Sequence, residues 1–209
     1  MINIFVHLTR LKWSNSSDGF SSLLAIVACS IYTCFPFFVI KLLLANFKDL
    51  ENSEIKESWS SLYEPMKTSN FPMVIYMPLF LFRRLIFSFS TVLLTDWPIF
   101  QVNMLFLQSV VLLWYLINYQ PFTLTILNYL EIFNELCILA VTYPCLLFTG
   151  YLDLDPEAHY NTGWFVIFIV LINIVVNIMI VAYQTLKALG GAIKRAWLKL
   201  KKYKNSKKS

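Results

Sequence analysis

The chain has 209 residues, of which 58% are hydrophobic and only 14% are charged, and its mean hydropathy is +0.62. A water-soluble domain of this length does not need so many apolar residues for its core, so the composition excludes an ordinary soluble protein. The formal net charge of +5 is concentrated at the carboxyl end. We therefore expect an all-α integral membrane protein, a bundle of about five transmembrane helices followed by a basic amphipathic C-terminal helix.

The predicted elements begin with an N-terminal segment, residues 1–18. Its short apolar run precedes its charges, which is the wrong order for a secretory signal and fits a helix lying at the membrane interface. Residues 19–186 then form the predicted bundle. It contains five apolar segments that are long enough, at 1.5 Å per residue, to cross about 30 Å of hydrocarbon. These spans are residues 20–44, 71–94, 99–119, 124–150 and 163–186.

The sequences of the connections between the spans also predict local structure. Residues 46–70 carry mixed charge and predict a surface helix that ends at Tyr63-Glu64-Pro65. Thr95-Asp96-Trp97-Pro98 predicts a tight turn with an interfacial tryptophan, and Gln120-Pro121-Phe122 ends the third span. Residues 151–162 form an acidic connection without lysine or arginine.

The last segment, residues 187–209, is strongly basic, and its apolar residues keep helical spacing. By the positive-inside rule this tail lies in the cytosol, and the acidic connection lies on the opposite side. We expect the tail to rest on a bilayer with anionic headgroups. Its membrane-surface residues are predicted to be Lys194, Arg195, Lys199, Lys201 and Lys202.

Polar and charged residues interrupt two of the spans near their middle. Ionised groups at this depth are costly and are almost always paired or face a cavity. In the predicted topology the charges of the second and fourth spans lie at a common depth, so we expect Arg83 or Arg84 to pair with Glu131 or Glu135. Consecutive arginines point about 100° apart on a helix, so only one can face the glutamates squarely. The predicted intramembrane cluster comprises Arg83, Arg84, Asn128, Glu131, Asn134 and Glu135.

Two functions remain open for this cluster. It is either an internal salt bridge that fixes helix packing or a hydrated cation site, in which Glu131, Asn134 and Glu135 supply oxygen ligands. Two arginines would cancel two glutamates, which argues against a cation site unless the arginines point elsewhere. Asn173 and Asn177, like the other amides of the spans, either line a pore or form interhelical hydrogen bonds, and we favour the hydrogen bonds.

The sequence offers no sign of enzymatic chemistry. It contains no GxGxxG, P-loop, GxSxG or HExxH motif, and no convincing pair of nucleophile and base. His7 and His159 have no cysteine or carboxylate neighbours at metal-ligand spacing. We therefore predict a protein that is not an enzyme, with no catalytic residue, metal ion or cofactor and no nucleic-acid partner.

Four short segments occur in an order that resembles a known family. They are Leu62-Tyr-Glu-Pro, Leu81-Phe-Arg-Arg-Leu-Ile-Phe-Ser-Phe, Asn118-Tyr-Gln-Pro-Phe and Asn128-Tyr-Leu-Glu-Ile-Phe-Asn-Glu. Over residues 62–139 the chain resembles the C-terminal multi-spanning region of large ciliate TRP-like membrane proteins. It is also similar to the fungal TRP-like channel family, in which an Arg-Pro-Phe turn precedes a helix with Phe-Asn-Glu. Gln120 stands where that arginine is usual.

The resemblance implies a TRP-like helical bundle in a plasma or ciliary membrane. We expect a channel component that works as a homo-oligomer or beside other membrane subunits, because this chain has too few spans for a complete channel. The second hypothesis is a non-conducting structural or accessory subunit of a membrane complex, in an organelle for example. The two hypotheses differ in whether the glutamates border a hydrated cavity or are sealed by arginine and apolar side chains.

Overall fold

A computed structural model describes residues 16–50, 57, 59–149 and 155–206 of the chain, and α-helices make up most of them. The predicted interfacial segment lies outside the described residues, except for its last three, which belong to the first helix. The helices are α1 (Ser16–Asn46), α2 (Phe71–Val74), α3 (Tyr76–Leu93), α4 (Pro98–Tyr119), α5 (Thr125–Leu147) and α6 (Pro156–Ser206).

Five of these helices, all except α2, are long and apolar enough to cross a membrane. The described part of the chain contains no β-strand, only an isolated bridge between Met66 and Phe122. The prediction of an all-helical fold with five helices of spanning length is therefore confirmed.

The second predicted span, 71–94, is two helices rather than one. The break falls at Ile75, between α2 and α3. Pro78 explains it, because a proline has no N–H with which to bond the carbonyl four residues earlier, here that of Val74. The Leu79 N–H still bonds the Ile75 carbonyl at 3.0 Å, so the chain continues in nearly the same direction.

The fifth predicted span, 163–186, is only the middle of a much longer helix. α6 begins at Pro156, within the predicted acidic connection, and continues to Ser206 without ending at residue 186. A proline is well suited to a first helical position because its missing N–H has no partner there anyway. The 51 residues of α6 extend for about 76 Å, far more than a hydrocarbon core of about 30 Å requires.

The helices pack in a chain of neighbours: α1 against α3, α3 against α4, α4 against α5, and α5 against α6. Two clusters of buried side chains stabilise this arrangement. One joins the end of α1 to the following connection and α2, and the other joins α3, α4 and the turn before α5. Their buried members are Val39, Leu43, Leu50, Tyr63 and Val74 in the first, and Met66, Tyr76, Leu112, Tyr115, Leu116 and Phe122 in the second.

The connection after α1 and the turn between α4 and α5 meet at one end of the bundle. The Lys67 N–H donates to the Pro121 carbonyl at 2.8 Å, and the Thr123 N–H donates to the Pro65 carbonyl at 3.0 Å. Within the predicted surface helix, Glu57 and Trp59 are helical and a 3-10 turn follows at Ser60–Leu62, while residues 51–56 and 58 lie outside the described part. Two of the four segments that carry the family resemblance, one before α2 and one after α4, thus lie side by side.

Candidate functional site

Polar side chains from three helices converge near the middle of the bundle. Glu131 and Glu135 are four residues apart, so they lie one above the other on the same face of α5. Arg83 faces them from α3, and Asn177 faces them from α6. Along α3 and α5 the charged groups lie about 10 to 15 Å from the helix starts, a distance between a third and a half of the roughly 30 Å that a spanning helix has to cross.

Arg83 forms an ion pair with Glu135. Its Nη1 donates to Glu135 Oε1, and its Nη2 donates to Ser109 Oγ at a distance of 3.0 Å. Only 3% of the Glu135 side chain and 19% of the Arg83 side chain are exposed. Since a buried ion pair needs further hydrogen bonds to offset its desolvation, the fully buried Ser109 of α4 is part of the arrangement.

Among the described residues, Arg84 forms no ion pair with either glutamate. Its side chain is exposed, and its guanidinium carbon lies 4.4 Å from the centroid of the Phe80 ring, a cation–π contact on α3 itself. Arg83 is the arginine whose charge acts on Glu131. Of the two arginines that could have cancelled the two glutamates, only one does so.

Asn128 does not belong to the charge cluster in which we predicted it. It is 2% exposed and bonds both backbone atoms of Phe122, accepting from the N–H at 2.9 Å and donating to the carbonyl at 3.0 Å. The reason is its position in the first turn of α5, beside the end of the preceding connection. Its function is to fix the turn between α4 and α5.

Asn134 joins α5 to α6. Its side-chain oxygen accepts hydrogen bonds from Asn173 Nδ2 at 2.8 Å and from Asn177 Nδ2 at 2.7 Å. Its own amide nitrogen lies 3.4 Å from Asn177 Oδ1. The three asparagines therefore form an interhelical network, as the sequence indicated for Asn173 and Asn177, and Asn134 is the member on α5.

The site is a polar pocket of about 360 Å³ between α3, α5 and α6. Glu131 lies in it, and Tyr76 and Asn134 border the same pocket. The pocket is open on one side, so it has room for water or an ion beside the carboxylates. The residues bordering it are Tyr76, Phe80, Arg83, Leu112, Glu131, Asn134, Glu135, Ile138, Asn173 and Asn177.

One carboxylate oxygen at this pocket has no hydrogen-bond partner among the described residues. Glu135 Oε2 is buried and accepts no hydrogen bond from any described residue, although Oε1 of the same group is paired. A buried carboxylate oxygen without a donor is costly, so it requires an explanation. The described residues contain no group of three or more His, Cys, Asp or Glu side chains that could hold a metal ion.

The predicted membrane-surface residues of the tail lie along the last part of α6. Lys194 and Arg195 are exposed, and the Arg195 Nε donates to the Gly191 carbonyl at 3.3 Å. Lys199, Lys201 and Lys202 lie on the same continuous helix, but their side chains are outside the described part of the structure.

Sequence reasoning did not identify Tyr76 and Ser109 as members of the site. Tyr76 is the first residue of α3, and its ring packs against the Phe122 ring at a centroid distance of 4.8 Å. Ser109 is a small polar residue in an apolar helix, a pattern that often marks an interhelical hydrogen bond.

Comparison of the chain with models of known protein families, with curated proteins and with solved structures finds no match.

Proposed function

We propose that this protein is a membrane-embedded subunit of TRP-like type, which contributes to an ion channel as an oligomer or beside longer subunits. One observation carries the proposal: Glu131 lies in an open polar pocket at mid-bundle depth, while the only cation facing it, within the described residues, is already paired with Glu135. Intramembrane carboxylates that face a cavity typically mark an ion or proton pathway.

The exposed surfaces of the bundle support assembly with other chains. None of the described side chains of α6 is buried, and among the long helices α6 packs mainly against α5. Among the long helices α1 packs mainly against α3. A subunit of this kind would complete the open side of the polar pocket with another copy of itself or with a different membrane protein.

The membrane setting is part of the same proposal. The basic end of α6 lies in the cytosol and attracts anionic headgroups, and the acidic start of α6 lies on the other side. Because α6 is a single helix, its basic part either leaves the membrane along the helix axis or reaches the headgroups through a tilted span. A plasma or ciliary membrane agrees with the family resemblance, and an organellar membrane is the alternative.

Ion flux through reconstituted protein tests the channel function. We expect liposomes that contain the purified protein to release K⁺ down a gradient faster than empty liposomes do. Glu131→Gln should change the flux without changing the oligomeric state, whereas Arg84→Gln, on the outer side of α3, should leave both unchanged. Folded oligomeric protein that produces no flux above empty liposomes would overturn the proposal.

A specific observation favours the second candidate, a non-conducting structural subunit. Arg83 hydrogen-bonds both Glu135 and Ser109, so the three side chains connect α3, α5 and α4, as expected of residues that fix helix packing. If that is its whole function, the protein should copurify with unrelated membrane subunits in a fixed ratio. Glu131→Gln should then leave both this assembly and the membrane conductance unchanged.

A further inference from the structure

We propose that the polar pocket between α3, α5 and α6 binds one monovalent metal cation, such as Na⁺ or K⁺, at the carboxylates of Glu131 and Glu135. The inference deepens the proposed function by naming the ligand class of the same pocket. It relies on that function for the membrane setting only, since binding does not require conduction.

The charges around the pocket leave one negative charge without compensation. Glu131 and Glu135 contribute two carboxylates, and Arg83 contributes one guanidinium. The Arg84 guanidinium lies over the ring of Phe80, a residue of the pocket wall, but Arg84 itself does not border the pocket. A net charge of one at mid-membrane depth is costly, and a single monovalent cation removes it. A divalent ion would leave an excess positive charge in the same place.

The oxygen atoms present are suitable ligands for a hard cation. Glu135 Oε2 is buried, borders the pocket through its residue and has no hydrogen-bond donor among the described residues. Glu131 and Tyr76 border the same pocket and bring a carboxylate and a hydroxyl group to it. Carboxylate, hydroxyl and amide oxygens, completed by water, are the ligands that such ions prefer over nitrogen or sulfur.

The asparagine network forms the side of the pocket where α5 meets α6. The Asn134 oxygen is already engaged by Asn173 and Asn177, so it positions α6 against α5 rather than binding the ion. The Asn177 oxygen has only a weak contact of 3.4 Å and remains able to approach a ligand. The pocket volume of about 360 Å³ accommodates an ion together with several waters.

Binding can be measured on the full-length protein in nanodiscs of zwitterionic lipid, with ²²Na⁺ and with ⁸⁶Rb⁺ as a substitute for K⁺. We expect one ion bound per chain, displaced by unlabelled NaCl or KCl but not by N-methylglucamine chloride. Glu131→Gln should abolish binding, and Arg84→Gln, as the matched control, should retain it. Absence of binding by the folded wild-type protein, or unchanged binding by Glu131→Gln, would overturn the proposal.

Thermal unfolding provides a second readout that needs no label. At constant ionic strength, Na⁺ or K⁺ in excess should raise the midpoint of the wild-type protein by about 4 °C relative to N-methylglucamine. Glu131→Gln removes the uncompensated charge, so its midpoint should not respond to the cation. If lowering the pH from 8 to 5 stabilises the protein and the metal cations do not, a proton on Glu131 neutralises the pocket and the metal site is wrong.

These outcomes are separate from the test of ion flux. A protein that binds Na⁺ or Rb⁺ but carries no flux would keep the cation site and overturn the channel function. A protein that conducts but binds no ion at Glu131 would keep the channel function and overturn the cation site.

Discussion

The Asn128 side chain bonds both the N–H and the carbonyl of Phe122, so one buried amide satisfies two backbone groups of the turn between α4 and α5. The turn needs such support because Gln120, at its start, has a left-handed backbone with φ of 41°. A residue other than glycine pays about 1 to 2 kcal/mol for that conformation.

Replacing Asn128 by alanine should therefore destabilise the protein strongly. Two buried backbone groups would lose their partners, and we expect a loss of about 2 to 4 kcal/mol in the free energy of unfolding. Asn118→Ala is the matched control, because the exposed Asn118 amide donates only to the carbonyl four residues before it, that of Trp114. Unfolding in SDS, followed by tryptophan fluorescence, measures both, and equal losses would contradict the assigned function of Asn128.

Replacing either Arg83 or Glu135 alone should lower the free energy of unfolding. Glu135→Gln leaves the buried Arg83 charge without its partner, and we expect a loss of about 3 to 5 kcal/mol. The double variant Arg83→Gln with Glu135→Gln removes both charges and should recover part of this loss. A double-mutant cycle measures the coupling energy, and a value near zero would show that the pair does not hold α3 against α5.

The two glutamines of α4, Gln101 and Gln108, share a helical face but differ in whether their side chains are hydrogen-bonded. The Gln101 amide donates to the Leu94 carbonyl at 2.8 Å, at the end of α3. Both side-chain polar atoms of Gln108 are buried and lack a partner among the described residues. Gln108→Leu should stabilise the protein by about 1 kcal/mol, while Gln101→Leu should destabilise it by a similar amount. The midpoints of thermal unfolding of the two variants show whether each is stabilised or destabilised. A lower midpoint for both variants would contradict the expected difference between Gln101 and Gln108.

Asn134 should contribute to the contact between α5 and α6. Asn134→Leu removes the acceptor shared by Asn173 and Asn177, and hydrogen bonds between transmembrane helices contribute about 0.6 kcal/mol each. We expect a loss of about 1 kcal/mol and faster proteolysis of α6. Leu136→Ala, at an exposed position of the same helix, is the control. If both variants resist protease equally, the network does not fix α6.

The sequence alone determined the number of long apolar helices and the positions of the charged residues along them. Both are local properties, because a run of apolar residues encodes its own length and a charge within it has a fixed distance from its ends. The helix ends predicted from the sequence were less accurate. Pro78 divides the second span and α6 continues past residue 186, since apolar periodicity does not report the backbone hydrogen bonds that begin and end a helix.

The tertiary structure decided which polar groups meet. Arg83 and Arg84 are equivalent in the sequence, and only the rotation of α3 against α5 directs one to Glu135 and the other outward. The same holds for Asn128, which shares a helical face with the glutamates but lies beside Phe122 at the end of the bundle. Helical spacing fixes the face of a side chain, while the neighbouring helices fix its partner.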